Sequence, residues 1–379
     1  MMEIAFWFIA SLIFYGYFGY VVFMAIVSRF VNNPVNKGAI EPRLTLLIAA
    51  YNEEKDIAAK LDNALALDYP PDKLEIMVVS DGSTDGTDEI VRSFHNRGVR
   101  LVRVEGRKGK TVSQNEAVRH ASGEIIVFSD ATTVYDPLAL RMIVRNFNDP
   151  SVGCVTGRLR YVSGKNSSVS AGEKSYWEYE VMVKKFQSEV WTLTGATGCI
   201  YAVRKTLYTP LPADIISDLV EPLAILQKGF RVVFEPEAIA CEAACEGKSD
   251  EMKMRRRVVA RGIRGFIYMR ALFNPLKNPW LFFQLVSHKL IRWLFFELAF
   301  IMLLINLFLL PRSLYVLTIS MQALFYLSAL AGYFLQRLRW FKAGALGYPL
   351  YFVLIHAASL FGAWEVLGGR KNVTWETNR

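Results

Sequence analysis

One stretch constrains the fold of this chain more than any other, because residues 4–28 contain no charged side chain. A helix over these 25 residues rises about 1.5 Å per residue and exceeds the roughly 30 Å hydrocarbon layer of a bilayer. A cleaved signal peptide is the competing interpretation. The preceding residues "MME" carry no basic side chain, however, and the apolar run is too long. The sequence therefore predicts a transmembrane helix within residues 1–30.

Further apolar runs lie near the C-terminus, at roughly residues 290–310, 313–335 and 343–367. The charged residues concentrate between the two apolar ends of the chain. We predict a soluble domain over residues 31–270, an interfacial segment over 271–289, about three membrane helices within 290–370 and a tail over 371–379.

The flanking charges predict an orientation. Arg29, Lys37 and Arg43 follow the first helix, and Glu3 is the only charge before it. The positive-inside rule puts the soluble domain in the cytoplasm, and we expect the plasma membrane of a prokaryote. Four crossings would leave the basic segment around Arg370 outside, so the sequence leaves open that one late segment is re-entrant or interfacial.

Within the soluble region, short apolar runs alternate with helical patterns. The runs at residues 44–50, 74–80, 99–104 and 124–129 have the length and composition of buried strands. Apolar residues at helical spacing follow each of the first three runs. Such alternation predicts an α/β domain with a parallel sheet covered by helices on both faces.

Each predicted strand is followed by a polar segment: "YNEE", "DGSTDG", "GRKGK" and "SDATT". In an open α/β sheet, ligands bind beyond the carboxyl ends of the strands. We therefore expect Asp81, Lys110 and Asp130 to lie at one edge of the sheet, facing a ligand.

Several functional classes are excluded by their motifs. A phosphate-binding P-loop ending in "GKT" at residues 109–111 would need glycine at position 104, which is valine. No G-x-G-x-x-G follows a predicted strand, and no nucleic-acid recognition module is present. Cys154, Cys199, Cys241 and Cys245 form no C-x-x-C pair, so we expect reduced, buried thiols.

Carboxylates and cations together favour a metal-bound diphosphate. Asp81, Asp130 and Lys110 stand beside a stretch at residues 248–270 with eight basic residues against two acidic ones. Mg²⁺ takes one or two protein carboxylates and completes its coordination with phosphate and water. The alternatives are that Asp130 is a helix N-cap or a turn residue before "PLALRMIV", and that the basic stretch is an interfacial helix attracted to anionic lipid.

Together these motifs resemble the family 2 glycosyltransferases of the GT-A fold, especially the membrane-embedded branch of cellulose, chitin and hyaluronan synthases. The resemblance runs from Leu44 to about Gly265. It is carried by "AAYNEE" (49–54), "VVSDGSTDGT" (78–87), "GKTVSQNEAV" (109–118), "FSDATT" (128–133), "YWEYE" (176–180), "TGATGCIYAVRK" (194–205) and "ISDLVEPLAILQKGFRVVFEPEA" (216–238).

The resemblance implies a Rossmann-like GT-A domain that binds a nucleotide sugar, UDP-linked by family expectation, with Mg²⁺ or Mn²⁺. It assigns the metal to Asp130 and the catalytic base to Asp218, for which an N-cap of the following helix is the structural alternative. The expected donor contacts are Ala50, Tyr51, Glu53, Asp81, Lys110 and Asp130, with Arg255, Arg257 and Arg261 on the diphosphate.

The chain departs from the family pattern in informative places. Ser80 precedes Asp81 where the family often has a second aspartate, and Thr132 stands at the last position of D-x-D. The segment "RRRVVARG" puts Val258 and Val259 at the Arg and Trp of the processive Q-x-x-R-W motif. Valine offers no flat face for a sugar to stack on.

The sequence therefore favours an inverting enzyme that adds one or a few sugars to a lipid-linked or saccharide acceptor. Its alternative is a processive polysaccharide synthase that exports its polymer. A non-catalytic scaffold subunit is disfavoured by the presence of Asp81, Asp130 and Asp218. Nucleic acid is not an expected partner.

Overall fold

The computed structural model describes residues 1–162, 171–243, 248–310, 312–337, 344–370 and 373–374. Its strands are β1 Leu44–Ala50, β2 Leu74–Ser80, β3 Val99–Arg103, β4 Ile125–Asp130, β5 Val134–Tyr135, β6 Val152–Val162, β7 Ile200–Arg204 and β8 Arg231–Ala243. They form one sheet in the order β3-β2-β1-β4-β7-β6-β8-β5.

The helices of these residues surround the sheet and extend away from it. They are α1 Met2–Phe14, α2 Tyr20–Phe30, α3 Ile57–Leu65, α4 Thr87–Ser93, α5 Lys110–His120, α6 Ala139–Val144, α7 Ala171–Val190, α8 Ser217–Gln227, α9 Lys248–Tyr268, α10 Pro279–Leu285, α11 Ile291–Trp293, α12 Phe295–Leu309, α13 Ser313–Arg337 and α14 Gly347–Leu367. Two π-helical turns, Tyr15–Gly19 and Val286–Leu290, join α1 to α2 and α10 to α11.

The predicted α/β class is confirmed. Strand β1 pairs in parallel with β2 and β4, and β2 pairs in parallel with β3. Beyond β4 the sheet becomes mixed, because β7 is antiparallel to both β4 and β6. The four strands predicted from apolar runs are therefore the parallel half of the sheet.

Strand β1 shows why these runs carry no polar alternation. Leu46 and Ile48 belong to one hydrophobic core, and Leu47 and Ala49 belong to a second core on the other face of the sheet. Successive side chains of a strand point to opposite faces, so a strand covered on both sides is apolar throughout. Cys154 and Cys199 are buried free thiols and Cys241 is partly buried, whereas Cys245 lies outside the described residues.

The first helix is divided between two environments. Residues Met2–Phe30 form one helix long and apolar enough to cross a membrane. Tyr20 and Met24, in its second half, are fully buried and pack against Val183 and Val190 of α7. The first half of the helix thus projects from the domain, while the second half is built into it.

The segment after the soluble domain is bent. Residues Pro279–Trp293 and Phe295–Leu309 meet at an angle of 65°. Leu281 and Leu285 pack in a core with α8, and the Gln284 side chain donates a hydrogen bond of 3.0 Å to the Thr192 carbonyl. The first arm therefore lies on the soluble domain, and only the second arm, α12, leaves it.

Contacts at the far end orient α12 and α13. Arg312, between these two helices, forms an ion pair with Glu3 at the start of α1. The rings of Phe6 and Tyr315 pack 5.3 Å apart. Helix α12 therefore runs away from the domain beside α1, and α13 runs back toward it.

Residues Ser313–Leu335 of α13 are long and apolar enough to cross a membrane, and so is helix α14. Its contacts differ, however, because Tyr351 in its first turns accepts a 2.5 Å hydrogen bond from Arg255, and Glu365 near its end pairs with Arg256. Both arginines belong to α9 of the soluble domain. These contacts favour the interfacial alternative for this late segment.

The chain beyond α14 returns to the soluble domain. The Arg370 carbonyl accepts a hydrogen bond from Arg264, and the Val373 carbonyl lies against Gly109 at the start of α5. Arg370 therefore lies on the same side as the domain. This position favours the re-entrant or interfacial alternative over four full crossings, which stays a prediction. Lys371 and most of the predicted tail lie outside the described residues.

Candidate active site

The sheet brings the predicted acidic residues to one edge. Ala50 is paired with Ser80 across β1 and β2, and Ala49 is paired with Asp130 across β1 and β4. Neighbouring strands lie about 4.8 Å apart, so Asp81 and Asp130 start from positions roughly 10 Å apart on the same edge. Helix α5 begins at this edge with Lys110.

Asp81 is fully buried and bonded to the chain itself. Its backbone N–H donates to the Ala50 carbonyl at 3.0 Å. Its carboxylate accepts from the N–H groups of Lys108 and Gly109 at 2.9 Å and from the Ser113 hydroxyl at 2.8 Å. Asp81 thus holds the loop that precedes α5, and its predicted contact with a nucleotide stays a prediction.

The loop after β1 is tied to its neighbours as well. The Glu53 N–H donates to the Thr87 hydroxyl at 2.8 Å, and Glu53 is buried. Tyr51 lies under the Arg107 guanidinium, which is 4.2 Å from the ring centroid. A fixed aromatic ring beside a cation is a suitable surface for a nucleotide base, and this assignment also stays a prediction.

Lys110 and Asp130 form an ion pair at the centre of the edge, with about a quarter and a third of their side chains exposed. Burial lowers the pKa of Lys110, but the Asp130 carboxylate outweighs burial and the net shift is upward. Asp130 does not cap the next helix, because α6 begins only at Ala139. The helix-cap alternative for Asp130 is therefore wrong, but Asp130 does precede a turn, because its carbonyl accepts a 3.0 Å hydrogen bond from the Thr133 hydroxyl.

Asp218 lies in the first turn of α8, half-buried. The helix begins at Ser217, and its N-cap position is Ile216, without a side-chain cap. The N-cap alternative for Asp218 is therefore wrong as well. Within the described part of the chain, the Asp218 carboxylate makes no hydrogen bond or ion pair. Its one evident structural contribution is the favourable position of a negative charge in the first turn of α8.

The surroundings of Asp218 join it to the ion pair. Burial raises the pKa of Asp218, the nearby Lys110 ammonium opposes this shift, and Asp130 adds to it. Arg261 and Lys184 also lie within Coulombic range. The two aspartates and Lys110 therefore share one electrostatic environment, as a site for a diphosphate and a proton acceptor requires.

Gly198 leaves the space in which the Asp218 carboxylate lies. A Cβ atom at residue 198 would come 2.4 Å from Asp218 Oδ2. We expect Gly198→Ala to displace the carboxylate without changing its chemistry and to lower the transfer rate by about 100-fold, since small misplacements of reacting groups have effects of this size. Initial rates with purified enzyme measure the effect.

Gly195 provides a matched control on the same loop. A Cβ atom there would approach Leu219 at 3.4 Å, an ordinary contact, and would remain 3.8 Å from the Asp218 carbonyl. Gly195→Ala should therefore keep the wild-type rate. Equal rates for Gly198→Ala and Gly195→Ala would mean that the position of Asp218 is irrelevant to catalysis.

The predicted arginines of α9 occupy different places. Arg261 is buried, and its guanidinium donates to the Thr111 hydroxyl at 2.7 Å and to the Ile215 carbonyl at 2.5 Å. Burial lowers its pKa to about 10. Arg261 thus clamps the loop before α8 onto α5, and its charge remains close to Asp218.

Arg255 lies further from the ion pair. Its guanidinium is 5.0 Å from the Tyr176 ring centroid and 5.4 Å from that of Tyr351. Arg257 is half-buried on the same helix, within Coulombic range of Arg261. The structure thus brings Arg261 toward Asp218, leaves Arg257 near Arg261, and puts Arg255 between α7 and α14.

The side chains fit a metal ion that brings its own phosphate ligands. Among the described residues, no group of three or more His, Cys, Asp or Glu side chains could hold a metal ion. Asp130 offers one carboxylate, and the Thr132 hydroxyl, at the last position of D-x-D, donates to Glu242 at 3.0 Å. Mg²⁺ and Mn²⁺ held mainly by a diphosphate need no more than one or two protein carboxylates.

Sequence reasoning missed the polar groups on the membrane side of the site. Lys184 of α7 donates to the Thr197 hydroxyl at 2.6 Å, next to Gly198 and Asp218. Glu180, one turn earlier, pairs with Arg292 at 2.5 Å. The spacing of Glu180 and Lys184 puts them on one helix face. The sequence shows that face but not what it contacts.

Residues 45–209 match the family model described as "Glycosyl transferase family 2". The chain carries a family 2 glycosyltransferase domain. The match includes the strand-end residues Tyr51, Asp81, Lys110 and Asp130, and Asp218 lies just beyond it.

Curated relatives of the family 2 domain include polysaccharide synthases. The chain is 29% identical over 245 residues to the poly-β-1,6-N-acetyl-D-glucosamine synthase of Staphylococcus aureus, covering 62% of this chain and 58% of that protein. The Staphylococcus epidermidis synthase is 29% identical over 205 residues, covering 52% and 48%. The chain spans less than three fifths of the length of these relatives.

A solved structure shares the fold along nearly the whole chain. A mannosyltransferase from Pyrobaculum calidifontis, in complex with GDP-Man and Mn²⁺, aligns with a TM-score of 0.74 at 23% identity. The alignment covers 98% of this chain and all of that chain. The GT-A fold predicted for the family 2 glycosyltransferase domain is confirmed.

Proposed function

We propose that the chain is a membrane-bound, metal-dependent, inverting glycosyltransferase that moves a sugar from a nucleotide-sugar donor to a lipid-linked or saccharide acceptor. The observation that carries the proposal is the unbonded Asp218 carboxylate beside the Lys110–Asp130 pair. Both lie at the edge of the sheet where open α/β domains bind ligands.

The residues divide the chemistry between them. In an inverting transfer, the acceptor hydroxyl attacks the anomeric carbon from the face opposite the leaving nucleoside diphosphate. Asp218 takes the hydroxyl proton, and the burial that raises its pKa makes it a better proton acceptor. Lys110, already at the edge, donates to a diphosphate oxygen.

Asp130 would hold Mg²⁺ or Mn²⁺ through its carboxylate. When bound, the ion supplies positive charge that offsets the charge on the departing diphosphate. In the structure the Lys110 ammonium pairs with that carboxylate. A divalent ion and Lys110 therefore compete for Asp130, and the diphosphate gives Lys110 a second anionic partner.

The donor side is assigned from position and resemblance. Tyr51 and Glu53 border the edge from the loop after β1, with Ala50 and Asp81 beneath them. Arg261 and Arg257 add positive charge near the diphosphate. UDP is the nucleotide that the family resemblance implies, and a GDP-linked donor is the alternative to include because the Pyrobaculum structure holds GDP-Man.

A processive polysaccharide synthase is the second candidate, favoured by the similarity to the staphylococcal synthases. The packing of helix α9 is evidence against a processive synthase. Val259, at the motif's Trp position, is buried with its Cβ 3.2 Å from a Cβ built at Gly362 of α14. That position faces another helix rather than a sugar. Product length separates the two functions, because a processive enzyme yields long polymers.

The catalytic domain is proposed to face the cytoplasm, where nucleotide sugars are made. The basic residues after the first helix support this orientation. In this arrangement α1, α12 and α13 cross the membrane, and α14 lies at its surface along α9. Protease protection checks the assignment. In inverted vesicles, whose cytoplasmic face is exposed, we expect the protease to cleave within residues 31–43, and in right-side-out vesicles we expect no cleavage there.

Release of nucleoside diphosphate tests the function. Purified enzyme in nanodiscs should hydrolyse one of a panel of UDP- and GDP-sugars when Mg²⁺ or Mn²⁺ is added, with water replacing the acceptor. No release from any donor, with or without lipid extract as a source of acceptor, would refute a transferase function.

A further inference from the structure

A fully buried lysine lies beneath the turn that carries Asp130. Lys60, in α3, is 2% exposed. Lysine is almost never fully buried unless its charge is paired. Among the described residues, however, Lys60 forms no ion pair, and the Asp130 carboxylate lies only within Coulombic range of its ammonium. The buried lysine is therefore held by something other than a carboxylate.

Two contacts hold the Lys60 ammonium. It donates a hydrogen bond of 2.8 Å to the Thr133 carbonyl. It also lies 4.0 Å from the centroid of the Tyr135 ring, a favourable distance for a cation–π interaction. That ring is fixed in turn, because its hydroxyl donates to the Cys199 carbonyl at 2.7 Å. The lysine side chain therefore has a defined position, with its shortest hydrogen bond directed to Thr133.

Thr133 connects Lys60 to Asp130. The Thr133 hydroxyl donates a 3.0 Å hydrogen bond to the Asp130 carbonyl, and the Thr133 N–H donates to the same carbonyl at 3.4 Å. These bonds close the turn at residues 130–133, which joins β4 to β5. A continuous path of hydrogen bonds thus runs from Lys60 through Thr133 to the backbone of Asp130.

Lys60 and Lys110 act on different parts of Asp130. Lys110 pairs directly with the carboxylate and is partly exposed, so it can turn toward a diphosphate. Lys60 is enclosed beneath the turn and reaches its backbone. Burial lowers the pKa of Lys60 to about 7, but the hydrogen bond to Thr133 does not require the charge, because a neutral amine also donates. Lys110 therefore neutralises the carboxylate, whereas Lys60 fixes the backbone that carries it.

A second side chain of α3 provides a comparison. The Asn63 amide donates to the Tyr135 carbonyl at 2.9 Å, and its oxygen accepts from the Tyr135 N–H at 2.8 Å. Tyr135 lies in β5, where it also pairs with Ala240 of β8. Asn63 thus fixes the strand after the turn, and Lys60 fixes the turn itself.

We propose that Lys60 is a positioning residue for the metal site, whose hydrogen bond to Thr133 fixes the turn and thereby the direction in which Asp130 meets a divalent ion. The proposal rests on the proposed function, in which Asp130 binds Mg²⁺ or Mn²⁺. Mg²⁺ demands a nearly ideal octahedral arrangement, so a small displacement of a carboxylate weakens its binding. Lys60 is not itself a ligand, so its loss should weaken metal binding rather than abolish it.

Binding of Mn²⁺ tests the proposal without turnover. Purified protein in nanodiscs is mixed with UDP or GDP, and the rise in melting temperature is followed as Mn²⁺ is added. Lys60→Met keeps the length of the side chain and removes the donor. It should raise the Mn²⁺ concentration for half of the full effect by about tenfold, the scale of losing a group that orients a metal ligand. Saturating Mn²⁺ should restore the full effect.

Two further variants separate positioning from stability. Lys60→Gln keeps a polar donor that is one bond shorter, and it should shift the Mn²⁺ requirement in the same direction even if Lys60→Met does not fold. Asn63→Ala is the matched control, because it removes two hydrogen bonds between α3 and β5 and leaves the turn bonded. It should lower the melting temperature of the free protein and keep the wild-type Mn²⁺ requirement.

Three results would overturn the proposal. A wild-type Mn²⁺ requirement in the Lys60 variants would remove Lys60 from the metal site. Equal increases in the Lys60 variants and in Asn63→Ala would reduce its role to the stability of the fold. In both cases the proposed transferase function stands. If Mn²⁺ stabilises the wild type with neither nucleotide, the metal assignment of the proposed function fails, and the role of Lys60 fails with it.

Discussion

Asp218→Asn is expected to lower the rate of sugar transfer by about 10²–10⁴-fold, the usual contribution of a positioned general base. Asparagine has nearly the same shape, so the contacts of α8 remain, but its amide cannot accept the acceptor proton. Donor binding should persist because Asp218 is the group that faces the acceptor. Initial rates of nucleoside diphosphate release, together with thermal stabilisation by donor, separate these effects.

Asp214→Asn is the matched control for this variant. Asp214 precedes α8, is half-buried, and lies 3.5 Å from Arg264, so its carboxylate already has a cationic partner. Its replacement should leave the transfer rate close to that of the wild type. Wild-type transfer by Asp218→Asn, or equal losses in both variants, would show that Asp218 is not the base.

The pH profile gives an independent check on Asp218. Burial raises its pKa, and the base works only when it is deprotonated. Activity should therefore fall as the pH is lowered through this raised value, with a midpoint above the roughly 3.9 of an ordinary aspartate. The residual activity of Asp218→Asn should lack this acid limb.

The sequence was sufficient for the parallel half of the sheet. Strands β1, β2 and β4 are mostly apolar because both of their faces are covered, and a polar segment follows each strand of this half. The order of those elements therefore predicted that Asp81 and Asp130 share an edge. The mixed half was not predicted, because the pairing of β7 with β4 and β6 depends on contacts far apart in the chain.

The membrane side of the site shows a different limit. Lys289 and Arg292 sit at the start of an apolar run, where the pattern suggests charges at a membrane boundary. Only the 65° bend after Trp293 folds that segment onto the domain, and only the packing of α7 brings Lys184 to it. Hydropathy alone likewise cannot distinguish α14 from a span, because its partners on α9 are remote in sequence.

Asp81 illustrates a third limit, since the motif identified the residue but not its immediate partners. Asp81 follows β2 and therefore lies at the carboxyl edge of the parallel strands, where the sequence placed it. Its carboxylate is nevertheless occupied by Lys108, Gly109 and Ser113. Such local hydrogen bonds depend on the conformation of the loop before α5, where Gly109 has a positive φ of 93°. A pattern of residue types does not specify that conformation.

Asp130→Ala is expected to abolish metal-dependent donor binding and to lower the transfer rate by about 10²–10³-fold, the scale of losing one group that stabilises developing charge. The variant also removes the main group that raises the pKa of Lys110, so that only the more distant Asp218 carboxylate then opposes the effect of burial. Both changes reduce the positive charge available to the diphosphate. In the wild type, nucleoside diphosphate should raise the melting temperature more with Mn²⁺ than without it.

In Asp130→Ala this difference between melting temperatures should disappear. Asp136→Ala is the matched control, because Asp136 is an exposed carboxylate on the next turn that accepts a 3.1 Å hydrogen bond from the Leu138 N–H. It should retain the Mn²⁺ effect. Since Asp130 is the carboxylate we assign to the ion, a full Mn²⁺ effect in Asp130→Ala would mean that the ion is held elsewhere. Glu242, which accepts the Thr132 hydrogen bond, is then the next carboxylate to replace.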